Sequence, residues 1–88
     1  MRILLKLFAT LGERLPDELD GQRRQGNSLV VEVPAGAAVQ EVIDRFQLPP
    51  ELVHLVLVNG VYVPPAQRAS RRLVEGDALA IWPPVAGG

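Results

Sequence analysis

The chain contains no cysteine. That excludes disulfides, thiolate metal sites, iron–sulfur clusters and Cys-x-x-Cys redox chemistry. His54 is its one histidine, set in an apolar segment with no serine or cysteine nucleophile beside it, and it reads as a packed or edge residue rather than a general base. No glycine-rich phosphate loop precedes a helix. Asp17, Glu18 and Asp20 lack the spacing of a calcium loop and read as the solvated part of a loop. Arg68, Arg71 and Arg72 form a basic spot, read as surface. With no acid–base pair and no nucleophile, an independent enzyme is not expected, nor is a bound metal or cofactor. The net charge of −1 argues against a nucleic-acid or anionic-membrane partner, and no apolar run is long enough to span a bilayer.

What the chain does have is apolar bulk. Nearly half of its 88 residues are apolar, 48%, which is enough to fold one small domain, 1–88, around its own core. The opening Met1-Arg2-Ile3-Leu4-Leu5-Lys6-Leu7-Phe8 resembles a signal peptide in outline. Lys6 interrupts its short apolar core, and no convincing cleavage site follows. We read it as a strand of a cytoplasmic protein.

Residues 2–8 alternate, with Ile3, Leu5 and Leu7 on one face and Leu4, Lys6 and Phe8 on the other. Thr10-Leu11-Gly12-Glu13 has capping-box spacing and predicts a short helical turn limited by Pro16. Residues 16–28 are polar, carry Gly21, Gly26 and Asn27, and read as a flexible loop. Residues 29–33 alternate as a second strand. Val39, Val42, Ile43 and Phe46 then stand at i, i+3, i+4 and i+7, the stripe of an amphipathic helix, which Leu48-Pro49-Pro50 stops. Ala38 leaves the cap position without an oxygen although Glu41 occupies N3. Ala38→Thr is therefore expected to add roughly 0.5–2 kcal/mol of stability. Residues 52–58 are almost unbroken apolar and predict a strand covered on both faces. Asn59-Gly60 predicts a type I′ hairpin into the short strand 61–63, and Ala78–Trp82 is the last strand.

The order strand, strand, helix, strand, short strand, strand predicts an α+β fold. It is a β-grasp, ubiquitin-like roll, with a mixed sheet of four to five strands and one main helix packed on one face. A single helix cannot cover both faces. Leu4, Phe8, Val30, Ala78, Ala80 and Trp82 share the outward parity, diluted by Lys6 and Glu32. An exposed apolar patch around the one tryptophan predicts a protein interface at Trp82, Phe8, Ala80 and Leu4. Beyond it runs the tail 83–88. Pro83 and Pro84 stiffen the approach, Val85 and Ala86 are small, and Gly87 and Gly88 carry no Cβ. A stiff spacer with a thin tip suits delivery of a terminal carboxylate into a narrow channel of another protein.

Val58-Asn59-Gly60, Leu73-Val74-Glu75-Gly76-Asp77 and Ala80-Ile81-Trp82-Pro83-Pro84-Val85-Ala86-Gly87-Gly88 resemble the small sulfur-carrier proteins of the MoaD/ThiS family. Leu7-Phe8-Ala9-Thr10-Leu11 and Pro34-Ala35-Gly36 fit as well, so the likeness spans essentially the whole chain. The Pro-Pro-Val-Ala-Gly-Gly ending is most similar to the molybdopterin synthase small subunit. The resemblance implies that an ATP-using activating enzyme of the ubiquitin-activating type adenylates the Gly88 carboxylate. Sulfur then replaces the adenylate, giving a thiocarboxylate. The tail enters the large synthase subunit and donates that sulfur in molybdenum cofactor biosynthesis, the catalytic residues lying in the partners. The absence of cysteine removes a competing internal thiol. Other readings are a thiamine-pathway (thiazole) carrier, a ubiquitin-like modifier, or a β-grasp interaction module with an inert tail.

Overall fold

The computed structural model describes residues 1–84. The tail positions Val85, Ala86, Gly87 and Gly88 lie outside the described residues. Seven strands and one α-helix follow in chain order: β1 (Arg2–Leu7), β2 (Glu18–Leu19), β3 (Gln22–Arg23), β4 (Ser28–Glu32), α1 (Val39–Arg45), β5 (Leu55–Val58), β6 (Val61–Tyr62) and β7 (Ala78–Trp82). Five of the strands form a mixed sheet in the order β4-β1-β7-β5-β6, while β2 and β3 pair as a separate ribbon. The central β1–β7 pair is parallel and the other pairs are antiparallel.

The alternation in sequence is what gives this sheet two unlike faces. Ile3, Leu5 and Leu7 of β1, Leu29 and Val31 of β4, Val56 and Val58 of β5, and Leu79 and Ile81 of β7 are all buried. They form one core with Val39, Val42 and Ile43 of α1, and Phe46 packs against its margin. Each such side chain contributes about 1.5–3 kcal/mol on burial. That packing is what sustains α1, since seven residues are far too few for a helix to persist alone.

The start of α1 shows the expected empty cap at Ala38 with Glu41 at N3, but the consequence for stability is different. Ala38 is the N-cap, with extended backbone and no side-chain acceptor, and Glu41 supplies half of a capping box by accepting the Ala38 N–H at 3.3 Å. The next two N–H groups are not orphaned. Val39 N–H donates to the Arg71 carbonyl and Gln40 N–H to the Arg68 carbonyl, both at 2.9 Å. Ala38 is also only 2% exposed. A threonine there adds two heavy atoms to a filled site and gains at most one partner. Ala38→Thr is therefore expected to leave stability unchanged or lower it by about 1 kcal/mol, read as the midpoint of chemical denaturation. A raised midpoint would contradict this.

The end of α1 is set before the prolines. Leu48 N–H donates to the Ile43 carbonyl at 3.1 Å and Gln47 N–H to the Asp44 carbonyl at 3.0 Å, the Schellman pattern. Gln47 holds φ 54°, a left-handed position where glycine is normal and any Cβ is strained. Gln47→Gly relieves that strain and adds unfolded-state freedom. The net expectation is a gain of about 0.5–1 kcal/mol; an equal or lower denaturation midpoint would refute it.

The loop expected at 16–28 is ordered by contacts distant in sequence, and the short helical turn expected after β1 forms at 9–14. In 16–28, β2 and β3 join through Asp20-Gly21, with φ 52° and 77°. Arg24 ties this ribbon down by donating to the carbonyls of Gly12 at 2.8 Å and Leu15 at 3.0 Å. In 9–14 the chain forms a 3-10 turn whose N-cap is Phe8, with no side-chain cap. Thr10 therefore lies inside the turn, and the predicted Thr10–Glu13 capping box does not start it. The Asn59-Gly60 hairpin forms as expected, with φ 50° and 82°. Asn59 also bridges the two sequence motifs around it: its Nδ2 donates to Asp77 Oδ1 at 2.8 Å and its Oδ1 accepts the Ala78 N–H at 2.9 Å. At the far edge, Arg2 Nε donates to Glu32 Oε1 at 2.7 Å, and this hydrogen bond holds the Glu32 carboxyl below its ordinary range.

Candidate functional site: the open sheet face and the end of β7

The face of the sheet away from α1 is built by β-strand parity. Leu4 stands beside Val30 and Ala78, Lys6 beside Ser28 and Ala80. Ala80 adjoins Leu57, Trp82 adjoins Leu55, and Leu57 adjoins Tyr62. Apart from Tyr62, which is 51% exposed, these residues are half-buried. The small residues Ala78 and Ala80 occupy the middle of this face, between Leu4 and Lys6 on one side and Leu57 on the other. The ribbon segment borders this face rather than capping it whole: Gln22, Arg23 and Gln25 line a crevice of about 120 Å³ with Leu4, Ser28 and Val30.

At the end of β7 the aromatic pair closes up. Phe8 and Trp82 stack with ring centroids 4.0 Å apart and planes within 4°. Phe8 N–H donates to the Ile81 carbonyl at 3.1 Å, and His54 N–H donates to the Trp82 carbonyl at 3.0 Å. Trp82 is thus held by its ring on one side and its backbone on the other. Pro83 is buried and Pro84 exposed.

Leu4, Phe8, Ala80 and Trp82 are therefore brought together on one surface. Leu55, Leu57 and Tyr62 extend it and were missed in the sequence. The unbroken apolar run 52–58 was read as buried on both sides, whereas β5 buries only Val56 and Val58 fully. Counting back from the Asn59-Gly60 turn would have paired Leu57 with Tyr62. The basic spot is also divided. Arg71 and Arg72 are exposed, with Arg72 Nη1 on the Gly36 carbonyl at 2.8 Å, but Arg68 is buried at 6% exposure. The His54 side chain is exposed. Among the described residues no group of three His, Cys, Asp or Glu is placed to hold a metal ion, and no helix is long and apolar enough to cross a membrane.

A mixed sheet with a parallel central pair, one helix across one face and a short hairpin strand, β6, at one edge defines a β-grasp, ubiquitin-like protein. Residues 5–88 match the model of the ThiS family, and the chain belongs to that family of small sulfur-carrier, ubiquitin-like proteins. Family members work with an activating enzyme and a synthase partner and are generally not catalytic themselves. Three solved structures are similar. The Haloferax volcanii HVO 2177 protein has a TM-score of 0.74 at 28% identity, over 100% of this chain and 87% of that one. SAMP1 from Haloferax volcanii has a TM-score of 0.65 at 25% identity over 100% of both chains. A candidate molybdopterin converting factor, subunit 1, from Pyrococcus furiosus has a TM-score of 0.64 at 22% identity, over 96% of this chain and 98% of that one. At that identity the last likeness is one of fold alone. No curated protein gives a significant sequence match.

Proposed function

We propose that this chain carries sulfur on Gly88 and delivers it to the pterin precursor of the molybdenum cofactor. The carboxylate attacks the α-phosphorus of ATP on the activating enzyme, and pyrophosphate leaves. A reduced sulfur nucleophile then attacks the acyl carbon of the adenylate, and AMP leaves. The resulting thiocarboxylate enters the large synthase subunit, which supplies the catalytic residues. The chain needs no cofactor of its own; ATP belongs to the activating enzyme, and the reaction runs in the cytoplasm. Leu4, Phe8, Ala80 and Trp82 dock the carrier on its partners, while Pro83, Pro84, Val85, Ala86 and Gly87 carry Gly88 into their active sites.

The observation that carries this reading is the family match, which spans residues 5–88 and so takes in Gly87-Gly88. It is supported by the place where β7 hands over to Pro83-Pro84, directly beside the apolar face. A terminal glycine also presents the least hindered acyl carbon, and a chain without cysteine offers no internal thiol to intercept the adenylate. Molybdopterin is preferred as the destination because the Pro83–Gly88 ending resembles that branch.

The test is reconstitution. The thiocarboxylated chain, mixed with the large synthase subunit and the pterin precursor, should consume the precursor and yield a sulfur-bearing pterin. Sulfur passing instead to a thiazole precursor, or the chain itself appearing on lysines of other proteins, would overturn the assignment of acceptor.

A further inference from the structure

Arg68 is an unusual residue to find inside so small a protein. Its side chain is 6% exposed, and among the described residues no carboxylate lies within salt-bridge distance of it. A buried guanidinium is costly to desolvate and is stabilised by hydrogen bonds to its fixed fork of donors. Those bonds all go to backbone carbonyls: Nε to Val63 at 3.3 Å, Nη1 to Val53 at 3.4 Å and Nη2 to His54 at 3.1 Å. A leucine or methionine would fill comparable space without the desolvation cost. What the guanidinium adds is direction.

That direction leads to the end of β7. The Val53 carbonyl and the His54 N–H belong to the same peptide unit. Its oxygen accepts from Arg68 Nη1, and its N–H donates to the Trp82 carbonyl at 3.0 Å. One peptide plane thus links the buried guanidinium to the last residue of the sheet. The next residue, Pro83, has no N–H to add a ladder bond of its own. The second carbonyl, of His54, fixes the neighbouring plane, and the third, of Val63, ties in the end of the β5–β6 hairpin. Arg68 is itself anchored to the helix, because its carbonyl accepts the Gln40 N–H. Helix start, hairpin end and the point where the chain leaves the sheet therefore share one brace.

We propose that Arg68 is a positioning residue: acting through the Val53–His54 peptide, it fixes the direction in which the tail leaves β7 and so aims the reacting carboxylate. This rests on the reading of Gly88 as the reacting end. Misplacing a reactive group by about 1 Å can cost on the order of a hundredfold in rate, and Trp82 is the residue from which Pro83 and Pro84 continue the chain.

The test is steady-state adenylation by the cognate activating enzyme with ATP, using wild type, Arg68→Lys and Arg68→Met. The folded fraction of each is measured by circular dichroism at the assay temperature. The lysine keeps the charge but not the planar fork. Per folded molecule, kcat should fall about tenfold or more for Arg68→Met and less for Arg68→Lys, with KM for the carrier changed less than about threefold. A role confined to stability would leave kcat per folded molecule unchanged, and that result overturns the proposal. A rise in KM alone also overturns it, since Arg68 would then serve docking. Should Arg68→Met fail to fold, Arg68→Lys and Arg68→Gln carry the test, and a kcat per folded molecule equal to wild type in both overturns the proposal. Wild type that reacts normally beside unaffected variants refutes this inference only. Wild type that is never adenylated refutes the carrier reading, and this inference with it.

Discussion

Deleting Gly88, or adding one residue after it, is expected to abolish sulfur transfer while leaving the fold intact. Either change displaces the reacting carboxylate by roughly 3.5 Å along an extended chain. Against a loss on the order of a hundredfold for about 1 Å, a shift of that size is ample to stop the reaction. The fold is expected to be spared because, among the described residues, the core cluster runs from Ile3 to Ile81. Denaturation midpoints of both variants should match wild type, and binding to the partner should survive in part through the sheet face. Sulfur transfer by a chain lacking Gly88 would show that the reactive group lies elsewhere. Unfolding of that variant would show that the tail belongs to the core.

Trp82→Ala is expected to weaken partner binding by about 2 kcal/mol or more, roughly a thirtyfold rise in Kd. Trp82 offers a large apolar surface beside Ala80, already held in place by Phe8 and by the His54 N–H. Little ordering entropy therefore remains to be lost when it docks. The fold should persist, because the core at this point is carried by the inward-facing neighbour Ile81, not by Trp82. Phe8→Ala should act on the same term, so the double variant should lose less than the sum of the singles. Isothermal calorimetry with the activating enzyme decides it. Unchanged affinity, or a variant that no longer folds, would remove Trp82 from the docking surface.

Much of this architecture was legible because its signals are local. The i, i+3, i+4, i+7 stripe of α1, the period-2 alternation of β1, β4 and β7, and the Asn59-Gly60 turn each depend on residues within one element. Parity alone placed Leu4, Phe8, Ala80 and Trp82 on one face. What escaped was set by partners far along the chain. Nothing near Arg68 distinguishes it from the exposed Arg71 and Arg72; its burial comes from carbonyls 5, 14 and 15 positions away. Ala38 looked uncapped because its helix is capped by the backbone of residues 68 and 71. The ribbon in 16–28 depends on Arg24 reaching back to Gly12 and Leu15. Pro49-Pro50 drew attention from Gln47, where the left-handed turn that ends α1 sits without the usual glycine. Leu55 and Leu57 were hidden by their own neighbours, since a fully apolar run erases the alternation by which a half-buried strand is recognised.

The proposed chemistry concerns one atom of Gly88. Intact-mass spectrometry of the purified chain, after incubation with its activating enzyme, ATP and a sulfur donor, tests it most directly. The expected result is a single mass gain equal to exchanging one oxygen for sulfur, dependent on ATP and located by fragmentation to the terminal peptide. A mass that stays unchanged with the competent enzyme present, or a modification that maps to any other residue, would contradict it.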